Sequence, residues 1–163
     1  MLAGMKAYRA AILSFDPESG QPRHESDGLL VVRPGPGGPG AARIVETVGS
    51  FHDLIRHYPG LEVEHLPGRL IAPGFIDLHV HYPQTDVIGS PADGLLPWLE
   101  RYTFPHEARF SDPDHAAGVA EFFLDELQRH GVTTALTFCT SHPHSVDALM
   151  TAAQPRGQRL IAG

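Results

Sequence analysis

The sequence predicts an α/β chain: a small β-rich subdomain over residues 1–72, then the opening strand–helix units of a parallel barrel over residues 73–163, with the barrel incomplete. Three observations predict this. Short apolar runs divided by turn signals fill the first seventy or so residues. A strand that alternates polar and apolar residues begins at Phe75. From there strand, helix, strand, helix and strand signals follow in series, the order of a parallel α/β sheet.

Tyr8 to Phe15 and Gly28 to Arg33 are apolar runs of strand length, and Asp16-Pro17-Glu18-Ser19-Gly20 between them is a turn. Pro34-Gly35-Pro36-Gly37-Gly38-Pro39-Gly40 can hold neither helix nor ladder, because proline lacks the amide proton and glycine loses too much backbone entropy. It reads as a flexible surface loop. A phosphate cradle would need a strand before it, a helix after it and a terminal lysine or threonine. Ala42 to Val48 and Leu61 to Leu66 read as further strands, with a turn of helix at Ser50 to His57. Together these suggest a sandwich-like β unit.

In Phe75-Ile76-Asp77-Leu78-His79-Val80-His81, the apolar Ile76, Leu78 and Val80 share one face and Asp77, His79 and His81 share the other. That division suits a barrel strand covered outside by helices and doing chemistry at its mouth. Ser111 is placed to cap the next helix, with Pro113 in its first turn and acidic residues at its positive end. Ala116, Ala120, Phe123, Leu124 and Leu127 form one buried stripe, and Gly131 ends it. Val132 to Cys139 is a second strand, His144 to Ala153 a shorter helix and Arg159 to Ala162 the first half of a third strand. Gly74 to Gly163 holds 90 residues. A complete (β/α)8 barrel takes roughly 250. The chain therefore reads as a fragment holding two units and a broken third strand.

Composition excludes several function classes. Lys+Arg 12 against Asp+Glu 19 gives a net charge of −7 over 163 residues, which disfavours a nucleic-acid partner. A single cysteine, Cys139, excludes an intrachain disulfide and paired-cysteine metal motifs, and it reads as a buried structural thiol. No apolar stretch approaches the roughly 20 residues that span a bilayer. The amino terminus reads as neither signal nor anchor, so no membrane partner is expected and the expected compartment is the cytoplasm.

His79 and His81 are the sharpest feature. Two residues apart on a strand, their Cα atoms lie ~6.6 Å apart on one side. Zinc holds imidazole nitrogens at about 2.0–2.1 Å, so tetrahedral neighbours are only ~3.4 Å from each other. Two rings leaning together reach that separation. The competing reading is a pair of partly buried, hydrogen-bonded histidines, which the strand context and Asp77 on the same face disfavour. A catalytic zinc needs at least three protein ligands plus water. His142 and His144 flank Pro143 just past the second strand; His142 reads as a group behind the ligands or facing substrate, and His144 as a cap of the following helix. His115 and His130 fall on the helix as solvated residues. Nucleophilic chemistry is unsupported, since Cys139 has no adjacent base and no nucleophile elbow is present.

Pro73-Gly74-Phe75-Ile76-Asp77-Leu78-His79-Val80-His81 resembles the opening strand of the amidohydrolase superfamily, metal-dependent hydrolases built on a (β/α)8 barrel. The continuation is similar to the guanine deaminase family: Tyr82-Pro83-Gln84-Thr85-Asp86, Leu95-Leu96-Pro97-Trp98-Leu99, Tyr102-Thr103-Phe104-Pro105, Gly131-Val132-Thr133-Thr134-Ala135 and His142-Pro143-His144-Ser145. The resemblance implies an amidohydrolase-type barrel, guanine as substrate, and hydrolytic deamination to xanthine and ammonia. It implies one zinc ion held by His79 and His81, with its site incomplete in this chain. Gln84 would hydrogen-bond the purine with a donor and an acceptor, and Trp98 and Leu99 would shape the pocket wall. The general acid/base is expected beyond residue 163, so the fragment would be inactive alone, and the full-length family would be homodimeric. Zinc deaminases of the Pro-Cys-x-x-Cys type are excluded by the single cysteine. Two alternatives stand beside this reading: a non-catalytic metal-binding or oligomerising fragment, and another amidohydrolase acting on a ring amide.

Overall fold

The computed structural model describes residues 2–36 and 43–163. Gly37 to Gly40 of the predicted loop, and Ala42 at the start of one predicted strand, lie outside the described residues. Strand β1 (Lys6–Phe15) pairs antiparallel with β2 (Pro22–Pro34), and β2 pairs antiparallel with β3 (Arg43–Ser50). Helix α1 (Phe51–Leu54) follows, then β4 (Val63–Ile71), which joins β1 in parallel and gives the order β3-β2-β1-β4. The sandwich-like expectation for residues 1–72 gives way to a single sheet. Its second layer is a run of short helical turns: Phe51, Leu54, Ile55 and Tyr58 pack on Ala7, Leu29 and Val31.

Asp16 builds the β1–β2 turn. Its Oδ1 accepts from the Ser19 amide at 2.9 Å and from the Glu18 amide at 3.1 Å, the local bonding that favours Asp at turn starts. The ladder runs further than the apolar run predicts, because the polar segment Pro22 to Glu25 pairs with Ile12 to Phe15. Backbone hydrogen bonds, which need no apolar side chain, hold that half of β2.

Contacts divide the chain at Pro73/Gly74, and the second unit is Gly74–Gly163. Strand β5 (Phe75–His81) is followed by a 3-10 segment (Tyr82–Val87), then by α2 (Leu95–Trp98), a π turn (Leu99–Thr103) and α3 (Phe104–Ala108). Then come α4 (Pro113–Arg129), β6 (Val132–Phe138), α5 (Pro143–Arg156) and β7 (Arg159–Ala162). The three strands form an open parallel sheet in the order β5-β6-β7. Gly74 sits so close to β6 that a Cβ there would lie 2.7 Å from the Thr133 Cβ, and the Phe75 amide donates to the Gly131 carbonyl at 2.8 Å. Only glycine permits that approach, which fixes where β5 enters the sheet.

Helix α4 buries Ala116, Ala120, Phe123 and Leu124 from the predicted stripe and adds Val119. Its cap is Asp112, not Ser111: the Asp112 carboxylate accepts from the Asp114 amide at 3.0 Å. Proline at the first helical position makes the residue before it the cap, and that residue is Asp112. Arg156 clamps α5 to α4 through the carboxylates of Glu121 and Asp125.

The outer face of β5 differs from expectation. Val80 packs on the helical core, but Ile76 and Leu78 are 65% and 72% exposed. β5 is the edge strand of an open sheet, and α4 and α5 cover the part nearer β6 and β7.

Candidate metal centre

A bulge in the β5–β6 ladder between Asp77 and Val80 shapes the site. Asp77 turns its carboxylate back onto the His79 amide, 2.9 Å away, and so holds the bulge rather than facing a ligand. His79 and His81 remain on one side of the strand, with their Nε2 atoms 3.2 Å apart. That is close to the ~3.4 Å edge between two imidazole ligands of one tetrahedral zinc. Neutral imidazoles at this distance either share one proton or present two lone pairs to a cation. The donor set and its spacing therefore fit a zinc-type ion. They do not complete a catalytic site: among the described residues no three His, Cys, Asp or Glu side chains gather for a metal.

The electrostatics favour the neutral form of His81. Burial pushes the His81 pKa below the ordinary 6.5, the neighbouring His79 lowers it further, and Glu107 opposes both. In an NMR titration of the metal-free chain, His81 is expected to reach its midpoint below 6.5. Glu107→Gln removes the one opposing charge and is expected to move that midpoint lower still; a rise would contradict the assignment.

Gln84, one turn after β5, joins this pair. Its Nε2 donates to Glu107 Oε1 at 3.1 Å and lies 3.4 Å from His81 Nδ1. An ionised carboxylate only accepts, so the amide turns its NH2 toward Glu107 and leaves the carbonyl oxygen as its free valence. Trp98 and Leu99 are half-buried where α2 passes into the π turn. Among the described residues, no hydrogen bond or ring contact joins Trp98 to the histidine pair.

The other histidines of the Gly74–Gly163 unit make contacts of their own. His142 is the α5 N-cap and makes no side-chain cap bond. The expectation that His144 caps this helix is corrected: its Nε2 bonds the carbonyl of Phe110, tying α5 to the segment before α4. His144 sits inside the first turn, where its ring is directed away from the free amides. His115 packs edge-on against Phe110, and His106 and His130 bond carbonyls four residues back. Burial pushes the Cys139 thiol up to about 11, so it stays protonated and unreactive near neutral pH.

Residues 70–163 match the Amidohydrolase family. The chain belongs to the amidohydrolase family. This amidohydrolase is 42% identical over 142 residues to a guanine deaminase of Escherichia coli (strain K12), covering 86% of the chain and 30% of that protein. It superposes on the guanine deaminase of Bradyrhizobium japonicum with a TM-score of 0.86 at 32% identity, over 98% of the chain and 35% of that structure. The guanine deaminase of C. acetobutylicum, solved with guanine in its active site, gives a TM-score of 0.81 at 29% identity, over 98% and 36%. The chain thus spans about a third of the length of the relatives it matches. Among the described residues no helix is long and apolar enough to cross a membrane.

Two residues beside the histidine pair had no local sequence signal. Glu107 reaches Gln84 across 23 positions through a helix of five residues. Phe138 meets the histidines because the parallel register sets it opposite His81. Knowledge of that register would have found Phe138; nothing short of the tertiary fold would have found Glu107.

Proposed function

We propose that this amidohydrolase chain supplies two metal ligands and part of the base-binding pocket of a zinc-dependent guanine deaminase. The overall reaction converts guanine and water to xanthine and ammonia. The observation that carries the proposal is the 3.2 Å convergence of His79 and His81 Nε2, in a chain similar over nearly its whole length to guanine deaminases.

When bound, zinc acts as a Lewis acid that lets water serve as a nucleophile near neutral pH. His79 and His81 would hold it through their Nε2 lone pairs, which requires both rings to be neutral. Asp77 keeps His79 at its place on the bulged strand. Gln84, with its NH2 held by Glu107, would accept from an N–H of the purine through its carbonyl. Trp98 and Leu99 would offer an apolar wall to the flat heterocycle.

In this reading residues 73–163 are the opening strand–helix units of an amidohydrolase-type barrel. The chain's two ligands fall short of a catalytic zinc site, so it does not turn over alone. The acid/base group and the homodimer belong to the longer protein, and the compartment is the cytoplasm. The test has two arms. The purified chain with equimolar zinc is expected to form no xanthine from guanine; turnover at an enzyme's rate would overturn the view that its site is incomplete. A hybrid in which this chain replaces the matching region of the E. coli guanine deaminase is expected to form xanthine and to lose that activity with His79→Ala. A folded, zinc-loaded hybrid that leaves guanine untouched would overturn the functional reading.

A further inference from the structure

Phe138 ends β6 opposite His81. Its ring centroid lies 4.7 Å from that of His81 with the planes 17° apart, and 4.8 Å from that of His79 at 47°. The two imidazoles are 5.2 Å from each other at 53°. The three ring centroids form a nearly equilateral triangle, with Phe138 against both imidazoles, whose Nε2 atoms lie 3.2 Å apart. Packing of the unit's interior does not explain Phe138. It is 38% exposed and lies outside the helical core cluster, whose aromatic members are Tyr82, Phe110 and Phe123.

Imidazoles on an edge strand are free to turn about two side-chain torsions each, and two lone pairs aimed at one point repel until a cation or proton joins them. A flat hydrocarbon face in contact with both rings restricts those torsions. We propose that Phe138 is a positioning residue whose ring stacks on His81, packs tilted against His79 and makes their Nε2 atoms converge before a metal arrives. The proposal rests on the reading of His79 and His81 as metal ligands, and it assigns the order of the pair to an aromatic residue on the neighbouring strand.

Isoleucine or leucine in its place would keep the apolar bulk and the strand, but a branched aliphatic chain offers no plane to stack on. A second aromatic ring would keep the plane. The role therefore separates from general packing by shape at constant hydrophobicity.

The test uses the whole 163-residue chain, metal-free, with labelled histidine. Wild type is expected to show a nuclear Overhauser cross-peak between the carbon-bound ring protons of His79 and His81. Phe138→Leu and, as a second flexible replacement, Phe138→Met are expected to lose it while the melting temperature changes little. Phe138→Trp is expected to restore it. With zinc added alone, the dissociation constant should rise about three- to tenfold in the leucine and methionine variants and return toward wild type with tryptophan. A cross-peak that survives in both flexible variants, or is missing from wild type, overturns the positioning role whether or not zinc binds. A cross-peak that depends on Phe138 in a chain that binds no zinc upholds the positioning role and overturns the metal reading instead.

Discussion

Tyr82→Ala is expected to destabilise the Gly74–Gly163 unit by about 3–5 kcal/mol, the largest stability loss we foresee from one substitution. Tyr82 is fully buried, edge-on to Phe110 at 5.2 Å and tilted against Phe123 at 5.8 Å. Its hydroxyl donates to the Ser145 carbonyl at 2.6 Å, joining the segment after β5 to the first turn of α5. Alanine would leave a ring-sized cavity and strip that carbonyl of its partner. Tyr82→Phe isolates the second effect and should cost about 1–2 kcal/mol. The sign of the pH dependence follows from the same burial, which raises the phenol pKa above its ordinary 10. The unfolded chain ionises first, so the contribution of Tyr82 is complete below pH 10 and is lost as pH rises above it. Denaturant melts at neutral and alkaline pH check all three statements. Tyr82→Phe should show the shallower alkaline decline, and an alanine variant as stable as wild type would refute the packing account.

Zinc affinity is expected to fall about a hundredfold or more when either His79 or His81 becomes alanine, since even the loss of an outer partner of a ligand costs about 10–100-fold. The pair binds as a chelate: one strand holds both nitrogens at the required spacing, so the second bond forms without a further search. A single remaining imidazole has only the affinity of a free one. His142→Ala is the control and should bind as wild type, because its ring stacks on His144, 5.7 Å away, and makes no contact with the pair among the described residues. Titration calorimetry separates these outcomes. Equal losses in all three variants would instead make His142 a third ligand of the same ion, and a loss confined to His142→Ala would move the metal away from the pair.

What the sequence showed and what it hid divide along physical lines. The buried stripe of α4 was legible because one helix face repeats at 3.6 residues, and His79 and His81 were legible because a strand returns every second residue to one side. Both are local periodicities. The β2 segment Pro22 to Glu25 was not legible, since it is held by backbone pairing that leaves no apolar mark. Ile76 and Leu78 keep the pattern of a covered face, yet stand exposed on an edge strand, because covering depends on neighbours that local pattern does not reveal. Around the histidines the same boundary holds. The ligand pair follows from spacing, whereas Glu107 and Phe138 enter only through a helix packing and a strand register.

The most direct measurement of the central claim is a zinc titration of the chain with 15N-labelled histidine. Saturation is expected at one zinc per chain, with the metal-induced shifts on the Nε2 resonances of His79 and His81 and protons retained on both Nδ1 atoms. Shifts confined to His142 and His144, or Nε2 resonances of His79 and His81 that do not move at saturating zinc, would contradict it.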